Sequence, residues 1–407
     1  MRRSTAAVAF AVFVTLLTSN GPSPLYVIFQ RRFHFSASAL TAVYAAYAVA
    51  VLVTLLVVGR LSDVVGRRRV LLPSLLFLIA SALLFAAARD LAWLFVARVV
   101  QGVGTGALTG AATAALVELD ADNDRQRASL VSTSALLAGA AVGPLLFGVL
   151  SEYLPGPTVL PFLTDAALIT MAVLALGLVP ETVDRARPGV HWQVQRPRVP
   201  RLVLAPFVLA GLAVALSWSV VALYASLGPS INRDLLHVEN HAAAGLLLFM
   251  FFALGGVGQL VARRWSSRMS MASGSIGVGV GMVVVYVSFV TTSVPLFLLG
   301  TLSAGVGSGL GLMGGLALVN EIAPPARRAE LVSAFNLVAY LALSLPVVAV
   351  GLLAAPLGLQ KATGLFTVAV VALTVVTTVA VLAAPTAPLD HLTPAQRAEL
   401  GLDPPLL

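Results

Sequence analysis

The stretch "GRLSDVVGRRRVLL", Gly59 to Leu72, gathers four arginines and an aspartate between two runs that carry almost no charge. Working outward, the run before it covers residues 37–58 and the run after it residues 70–88. The same alternation continues along all 407 residues, of which 59% are hydrophobic and only 10% charged. The mean hydropathy is +0.97. Soluble domains carry about 25% charged residues, so a chain this apolar could not keep its surface wet. Its solvent is a bilayer, and Gly59–Leu72 is a polar turn between two membrane crossings.

A crossing needs about 20 apolar residues. Twelve runs qualify: 5–29, 37–58, 70–88, 91–117, 128–151, 157–179, 202–227, 240–262, 271–291, 293–319, 330–354 and 361–384. Backbone groups in lipid must satisfy one another, so each run reads as a helix. Pro22, Pro24, Pro144, Pro161 and Pro346 do not veto the reading, because membrane helices tolerate proline. The opening "MRRSTAAVAFAVFVTLL" imitates a secretion signal, but no small-residue cleavage site follows it, so it reads as a retained first span. With the N-terminus inside, nineteen of the 25 cationic side chains fall in cytoplasmic segments. Outside fall Arg31, Arg32, Arg89, Arg233 and Lys361, and Arg98 lies within a span. The expected placement is a multi-pass protein of a bacterial cytoplasmic membrane, with both termini inside.

The net charge of +8 belongs to those loops. There are no basic runs interleaved with aromatics, so the reading is no nucleic-acid partner. With no cysteine there is no disulfide, thiolate metal site or cysteine nucleophile. The five histidines, His34, His191, His237, His241 and His391, lie in or near loops. Neither HExxH, nor a phosphate-cradling loop, nor GxGxxG after a strand occurs. The expectation is no enzyme, no metal and no cofactor, with an ion gradient, most simply of protons, as the energy source.

The longest polar segment between spans, Pro180 to Arg201, divides them six and six. The expected organisation is an N-terminal six-helix bundle (1–184), a cytoplasmic linker (185–201), a C-terminal bundle (202–384) and a cytoplasmic tail (385–407), in which "TPAQ" (Thr393 to Gln396) starts a short helix. The halves repeat. "GVGTG" at Gly102 returns as "GVGSG" at Gly305, "RASLVS" at Arg127 as "RAELVS" at Arg328, and "GRLSDVVGRRR" in degraded form as "GQLVARRWSSR" at Gly258. Three matches in order at nearly one offset argue for duplication, and paired repeats around a midplane site are a transporter architecture.

Twelve spans, a six-plus-six repeat and the loop from Gly59 resemble the major facilitator superfamily. The loop matches that family's signature at Gly59, Leu61, Asp63, Gly66, Arg67, Arg68 and Arg69. "RVVQGVGTGA" (Arg98 to Ala107) resembles its fourth-helix motif. "GAAVGP" (Gly139 to Pro144) is similar to the glycine–proline motif of proton-driven exporters, with the usual glycine pair after the proline reduced to Gly148. "PET" (Pro180 to Thr182) sits where drug-exporter relatives end their sixth helix. The resemblance implies an all-α membrane fold of two pseudo-symmetric six-helix bundles. It also implies that the second and eleventh spans meet, so that Asp63 is attracted to the N-terminus of the eleventh, with Glu330 competing. Gly59, Asp63, Gly66, Arg67 and Arg68 would then form a conformational latch favouring the outward-open state. Arginines in a short cytoplasmic loop also anchor span ends against anionic headgroups, which accounts for Arg67–Arg69 but not for Asp63.

Arg98 is the sole arginine deep in a span and Asp165 the sole acid, each about 10 Å from the outer face at 1.5 Å per residue. Membrane-embedded ionisable groups are functional candidates. Arg98 either snorkels to the outer headgroups or faces a cavity, where resemblance implies proton coupling or substrate contact. Asp165 either loads and unloads protons, paired with Arg98, or makes a structural bond to a neighbouring helix. Gly139 and Gly143 give a small-xxx-small face, Pro144 can bend the span, and Gly255, Gly256 and Gly258 offer a matching smooth face on the eighth. Asn20, Tyr26, Gln101, Trp218, Tyr224, Asn336 and Tyr340 are candidates to face a substrate cavity.

The function these features favour is proton-coupled efflux of small hydrophobic or amphipathic molecules by a monomer exposing a central cavity alternately to each side. An importer or uniporter of sugars, nucleosides or organic acids is the alternative, disfavoured by the few amides within the spans. A sensor or scaffold would need a folded soluble appendage.

Overall fold

The computed structural model describes residues 2–59, 61–119, 125–181, 197–324, 327–384 and 393. Arg60, residues 185–196 of the expected linker and residues 394–396 of the expected "TPAQ" helix lie outside the described residues. The helices in chain order are α1 (Arg2–Asn20), α2 (Tyr26–Phe33), α3 (Ala37–Val58), α4 (Leu61–Val65), α5 (Arg67–Ala86), α6 (Leu91–Glu118), α7 (Arg125–Tyr153), α8 (Leu160–Gly177), α9 (Leu204–Leu236), α10 (His241–Val261), α11 (Ser267–Thr291), α12 (Val294–Ile322), α13 (Arg328–Leu357) and α14 (Leu359–Ala383). They supply twelve helices long and apolar enough to cross a membrane, with α1, a 3-10 turn and α2 together making the first. No strand occurs among the described residues. The chain is an all-α, multi-pass membrane protein.

Local signals set the helix ends. Ser36 accepts from the Ala39 amide at the start of α3, Asp90 from Ala92 and Trp93 at the start of α6, and Ser266 from Met269 at the start of α11. Each satisfies amides that the first turn leaves without a helical partner. Large apolar side chains such as Met171 and Leu174 on α8, Leu178 just after it, and Val368 and Val379 on α14 face outward, as lipid requires.

Two compact units emerge. The first comprises residues 1–195 with 223–253 and 347–360. Its core is built from α1, α5, α6 and α8, where Val8, Ala11, Leu75, Leu78, Leu108, Ala112, Ile169 and Ala172 are buried together. The second comprises residues 196–222, 254–346 and 361–407, with a core of Phe207, Ala210, Met271, Leu318, Val319, Leu331, Phe335 and Val381.

The repeated glycine segments do the same packing work in each unit. In "GVGTG", a Cβ on Gly102 or Gly106 would run into α3 at the Tyr47 and Val51 carbonyls, and one on Gly104 into α5 at Ser74 and Leu78. In "GVGSG", Gly305 and Gly309 lie against Gly255 of α10, and Gly307 against Gly274 and Val278 of α11. The outer two glycines of each segment thus meet the second or eighth span, and the middle one meets the third or ninth.

Candidate functional site

The first span does not run through. After Asn20 it gives way to Gly21, Pro22 and the 3-10 turn Ser23–Leu25 before α2 resumes at Tyr26. Proline has no amide hydrogen. An unbroken helix would bond the Thr18 carbonyl to the amide of residue 22, but that residue is a proline. Gln101 of α6 supplies the missing donor, with Nε2 2.8 Å from the Thr18 carbonyl. Arg98, one turn earlier on α6, donates through Nη1 to the Ser19 carbonyl at 2.9 Å and also to Gln101 Oε1. Its Nε donates to the Tyr26 hydroxyl at 2.5 Å, on the far side of the break. Irregular backbone at membrane depth is tolerated where protein groups satisfy it, and here one arginine and one glutamine do so.

Arg98 is 0% exposed. The rings of Tyr47, Tyr26, Phe85 and Tyr44 surround the guanidinium with centroids 5.2 to 5.8 Å from Cζ. Aromatic faces stabilise a desolvated cation by about 2 kcal/mol each in favourable geometry. The expectation of an arginine facing an open cavity is therefore corrected, and so is snorkelling. Arg98 is enclosed, because the broken helix offers it carbonyls deeper than the headgroups.

Asp165 is also buried, at 1% exposed. It takes a hydrogen bond from the Thr18 hydroxyl at 2.8 Å rather than pairing with Arg98. The two are joined indirectly through Thr18 and Gln101. The bond to a neighbouring helix, one of the two readings of this residue, is present.

At the opposite end of α5, Arg67 donates to Asp63 and Ser62 on α4 and forms an ion pair with Glu118 of α6 at 2.9 Å. Its backbone amide, an unsatisfied donor at the start of α5, bonds Glu181 Oε1 at 2.7 Å. Gly66 before it has φ +111° and ψ +148°, a region nearly confined to glycine. A Cβ there would lie 2.7 Å from the Glu181 carboxyl carbon. Gly66→Ala is expected to lower thermal stability in detergent by about 1–3 kcal/mol. Glu181→Gln, which keeps an acceptor, is expected to lower it by less. Equal melting temperatures for Gly66→Ala and the parent would refute this reading. Gly59 caps α3 through its amide to the Leu55 carbonyl, and Arg68 is half-buried beside Arg67.

Gly139 and Gly143 on α7 face α1, not α10: their added Cβ atoms would strike the Phe13 and Leu17 carbonyls. Farther along α7, Pro144 and Leu145 lie against Gly245, and Gly148 against the His241 carbonyl, on α10. Gly255 and Gly258, expected to match Gly139 and Gly143, instead face α12 at Gly305 and Val306. The glycine periodicity was legible, but which neighbour it met was not. In the same unit Arg31 pairs with Glu239 at 2.8 Å, Ser230 bonds Gln30 at 3.1 Å, and Glu152 accepts the His241 amide at 2.8 Å, capping α10. Gly351 of α13 abuts Thr41 of α3. These contacts tie α2, α7, α9 and α10 together at the Arg31 end of the unit, where Ile28, Arg31, Ser151, Glu152, Pro157 and His241 line an open cavity.

Of the cavity candidates, Tyr26 and Gln101 are consumed by the Arg98 cage, and Tyr224 is buried and stacked on Phe251 at 4.4 Å. Asn20 is half-buried, bonded to the Leu16 carbonyl. In the second unit Trp218 and Tyr340 make an edge-to-face pair at 5.1 Å, both half-buried, as is Asn336. Sequence reasoning missed Thr18, Tyr44, Tyr47, Glu118 and Glu181. The prolines at 22 and 24, which should have signalled carbonyls without donors, were the available clue to Thr18.

The sequence model of the Major Facilitator Superfamily matches residues 8–284. Cephamycin export protein CmcT of Amycolatopsis lactamdurans is 33% identical over 234 residues, 55% of this chain and 47% of that protein. Multidrug resistance protein 1 of Bacillus subtilis is 24% identical over 53% of this chain and 55% of its own length. Puromycin resistance protein pur8 of Streptomyces alboniger is 36% identical over 37% of this chain and 30% of its own. The chain thus spans about half or less of the curated relatives it matches. Among solved structures, a bacterial homologue of the human lysosomal transporter Spinster, in an inward-facing conformation, superposes with TM-score 0.75 at 14% identity, over 93% of this chain and 97% of that one. A peptide transporter, POT, superposes with TM-score 0.74 at 15% identity, over 93% and 94%. With a family match running from the first span into the ninth, and that fold shared along nearly all of its length, the chain belongs to the Major Facilitator Superfamily.

Proposed function

We propose that the chain is a secondary active transporter of the bacterial cell membrane that expels small hydrophobic or amphipathic organic molecules in exchange for protons. One observation carries the reading: a buried cation and a buried carboxyl, the only charged side chains buried among the described residues, are wired to the same break in the first membrane helix. Intramembrane ionisable groups are costly and mark ion or substrate pathways. Interrupted helices are where transporters of this kind place such sites. The curated relatives named as exporters of cephamycin and as puromycin or multidrug resistance proteins support export and an organic substrate. The Trp218–Tyr340 pair and Asn336 suit a flat, largely apolar molecule with few polar groups. The distribution of arginines supports a topology with both termini in the cytoplasm, in which the Arg31 end of the first unit is the outer end. Transport proceeds by alternating access, as a monomer.

Cells expressing the chain are expected to accumulate less puromycin than cells expressing Asp165→Asn, and puromycin added to energised inverted vesicles to dissipate the proton gradient only with the parent. Equal accumulation in both strains, with no proton movement, would overturn the proposal. Raised accumulation would indicate import.

A further inference from the structure

Three hydroxyls line α1 just before its break: Thr15, Thr18 and Ser19, all buried. Thr15 donates to the Ala11 carbonyl at 2.7 Å and Ser19 to the Thr15 carbonyl at 2.7 Å, each bonding back one turn along its own helix. Thr18 leaves that pattern and reaches across to Asp165 at 2.8 Å. Its carbonyl, which Pro22 leaves without a backbone donor, is held by Gln101, and Gln101 is held by Arg98. Arg98 in turn grips Ser19 before the break and Tyr26 after it. One residue therefore bonds Asp165 with its side chain and the Arg98–Gln101 brace with its backbone.

We infer that Thr18 is a positioning residue that transmits the protonation state of Asp165 to the break in α1. The inference rests on the reading of Asp165 as the proton site. The chemistry is one of donors and acceptors. An ionised carboxyl can only accept, so Thr18 must donate to it. A protonated carboxyl donates, which frees the Thr18 hydroxyl to turn back to the Val14 carbonyl as Thr15 and Ser19 do to theirs. Such back-bonding bends helices, and here it acts one turn before a segment without regular helix bonds. Among the described residues, the charged groups on the elements around Asp165 are placed or engaged elsewhere: α2, which packs on α8 through Phe29 and Phe162, carries Arg31, paired with Glu239, and Arg32, which donates to Thr158. The other charged residues of α1 are Arg2 and Arg3, those of α5 are Arg67–Arg69, and the described side chains of α7 include only Glu152, near its far end. Asp165 is the sole charged residue of α8, and α6 brings Arg98, engaged as described.

The absence of native cysteine gives a test that needs no substrate. Ser230→Cys places a single thiol at the contact with Gln30, and its rate of reaction with a membrane-impermeant maleimide is read against pH in the full-length protein. Glu152, Glu239 and His241 lie nearby and contribute a common background, so Asp165→Asn in the reporter chain defines the baseline. The parent reporter is expected to show a pH dependence that Asp165→Asn loses, that Thr18→Val loses to the same extent, and that Thr18→Ser keeps. Thr18→Ala replaces the valine variant if the latter does not give a monodisperse protein. A hydroxyl-free variant that keeps the parent's pH dependence while Asp165→Asn loses it overturns the role of Thr18 and leaves the proton-site reading standing. A parent indistinguishable from Asp165→Asn overturns both.

Discussion

Arg98→Lys is expected to fail as completely as Arg98→Ala. The guanidinium donates in three directions within one plane, to Tyr26, Ser19 and Gln101, with four aromatic rings around it. A lysine carries its donors on a single nitrogen and cannot match that planar fork. Losing two hydrogen bonds made by a charged donor costs about 3 kcal/mol or more, and the ammonium left behind is buried with fewer partners. Melting in detergent should show that loss for both variants, and transport should fall by at least about tenfold. Recovery of both properties by lysine would show that charge alone matters at this position and that the geometry of the cage does not.

The second large effect is expected at Gly143. Its added side chain would collide with the backbone of Leu17, whose Cα lies 2.9 Å from the new Cβ and whose carbonyl lies closer still. Overpacking costs about 1–3 kcal/mol where side chains can yield. Here the obstacle is backbone, and the Leu17 carbonyl already accepts the Gly21 amide at 2.8 Å at the edge of the break. Gly143→Val is therefore expected to yield no folded protein and Gly143→Ala a clearly destabilised one. Gly177→Ala on α8, with nothing within 4 Å, is the control and should change stability by less than about 0.5 kcal/mol. Expression followed by size-exclusion profiles compares all three. A monodisperse Gly143→Val would mean that α1 and α7 are not held in this contact.

Much of the fold was legible because lipid imposes one rule on every segment: length and apolarity decide what crosses. That rule located all twelve spans, and the repeat "GVGTG"/"GVGSG" marked positions with equivalent packing. The rule could not see the interruption of the first span, since proline is tolerated in membrane helices and the apolar run continues across Pro22 and Pro24. Arg98 and Asp165 stood out by charge, yet their relation is carried by Thr18, an unremarkable residue whose partner is 147 positions away. Asp63 shows another limit. Its i+4 partner Arg67 was readable from spacing, whereas Glu118 and Glu181 reach the same arginine only because α6 and α8 end beside α5. Tertiary proximity of helix ends leaves no trace in a local pattern.

The break in α1 has a consequence for inheritance. Pro22 withholds a donor and Gln101 provides one, although they sit on different helices. A lineage that exchanged Pro22 for an ordinary residue would restore the backbone donor to Thr18 and relax the requirement for an amide at 101. A lineage that lost Gln101 first would strand a carbonyl in the dry interior. The two positions should therefore drift in step, and descendants should abandon the proline before the glutamine.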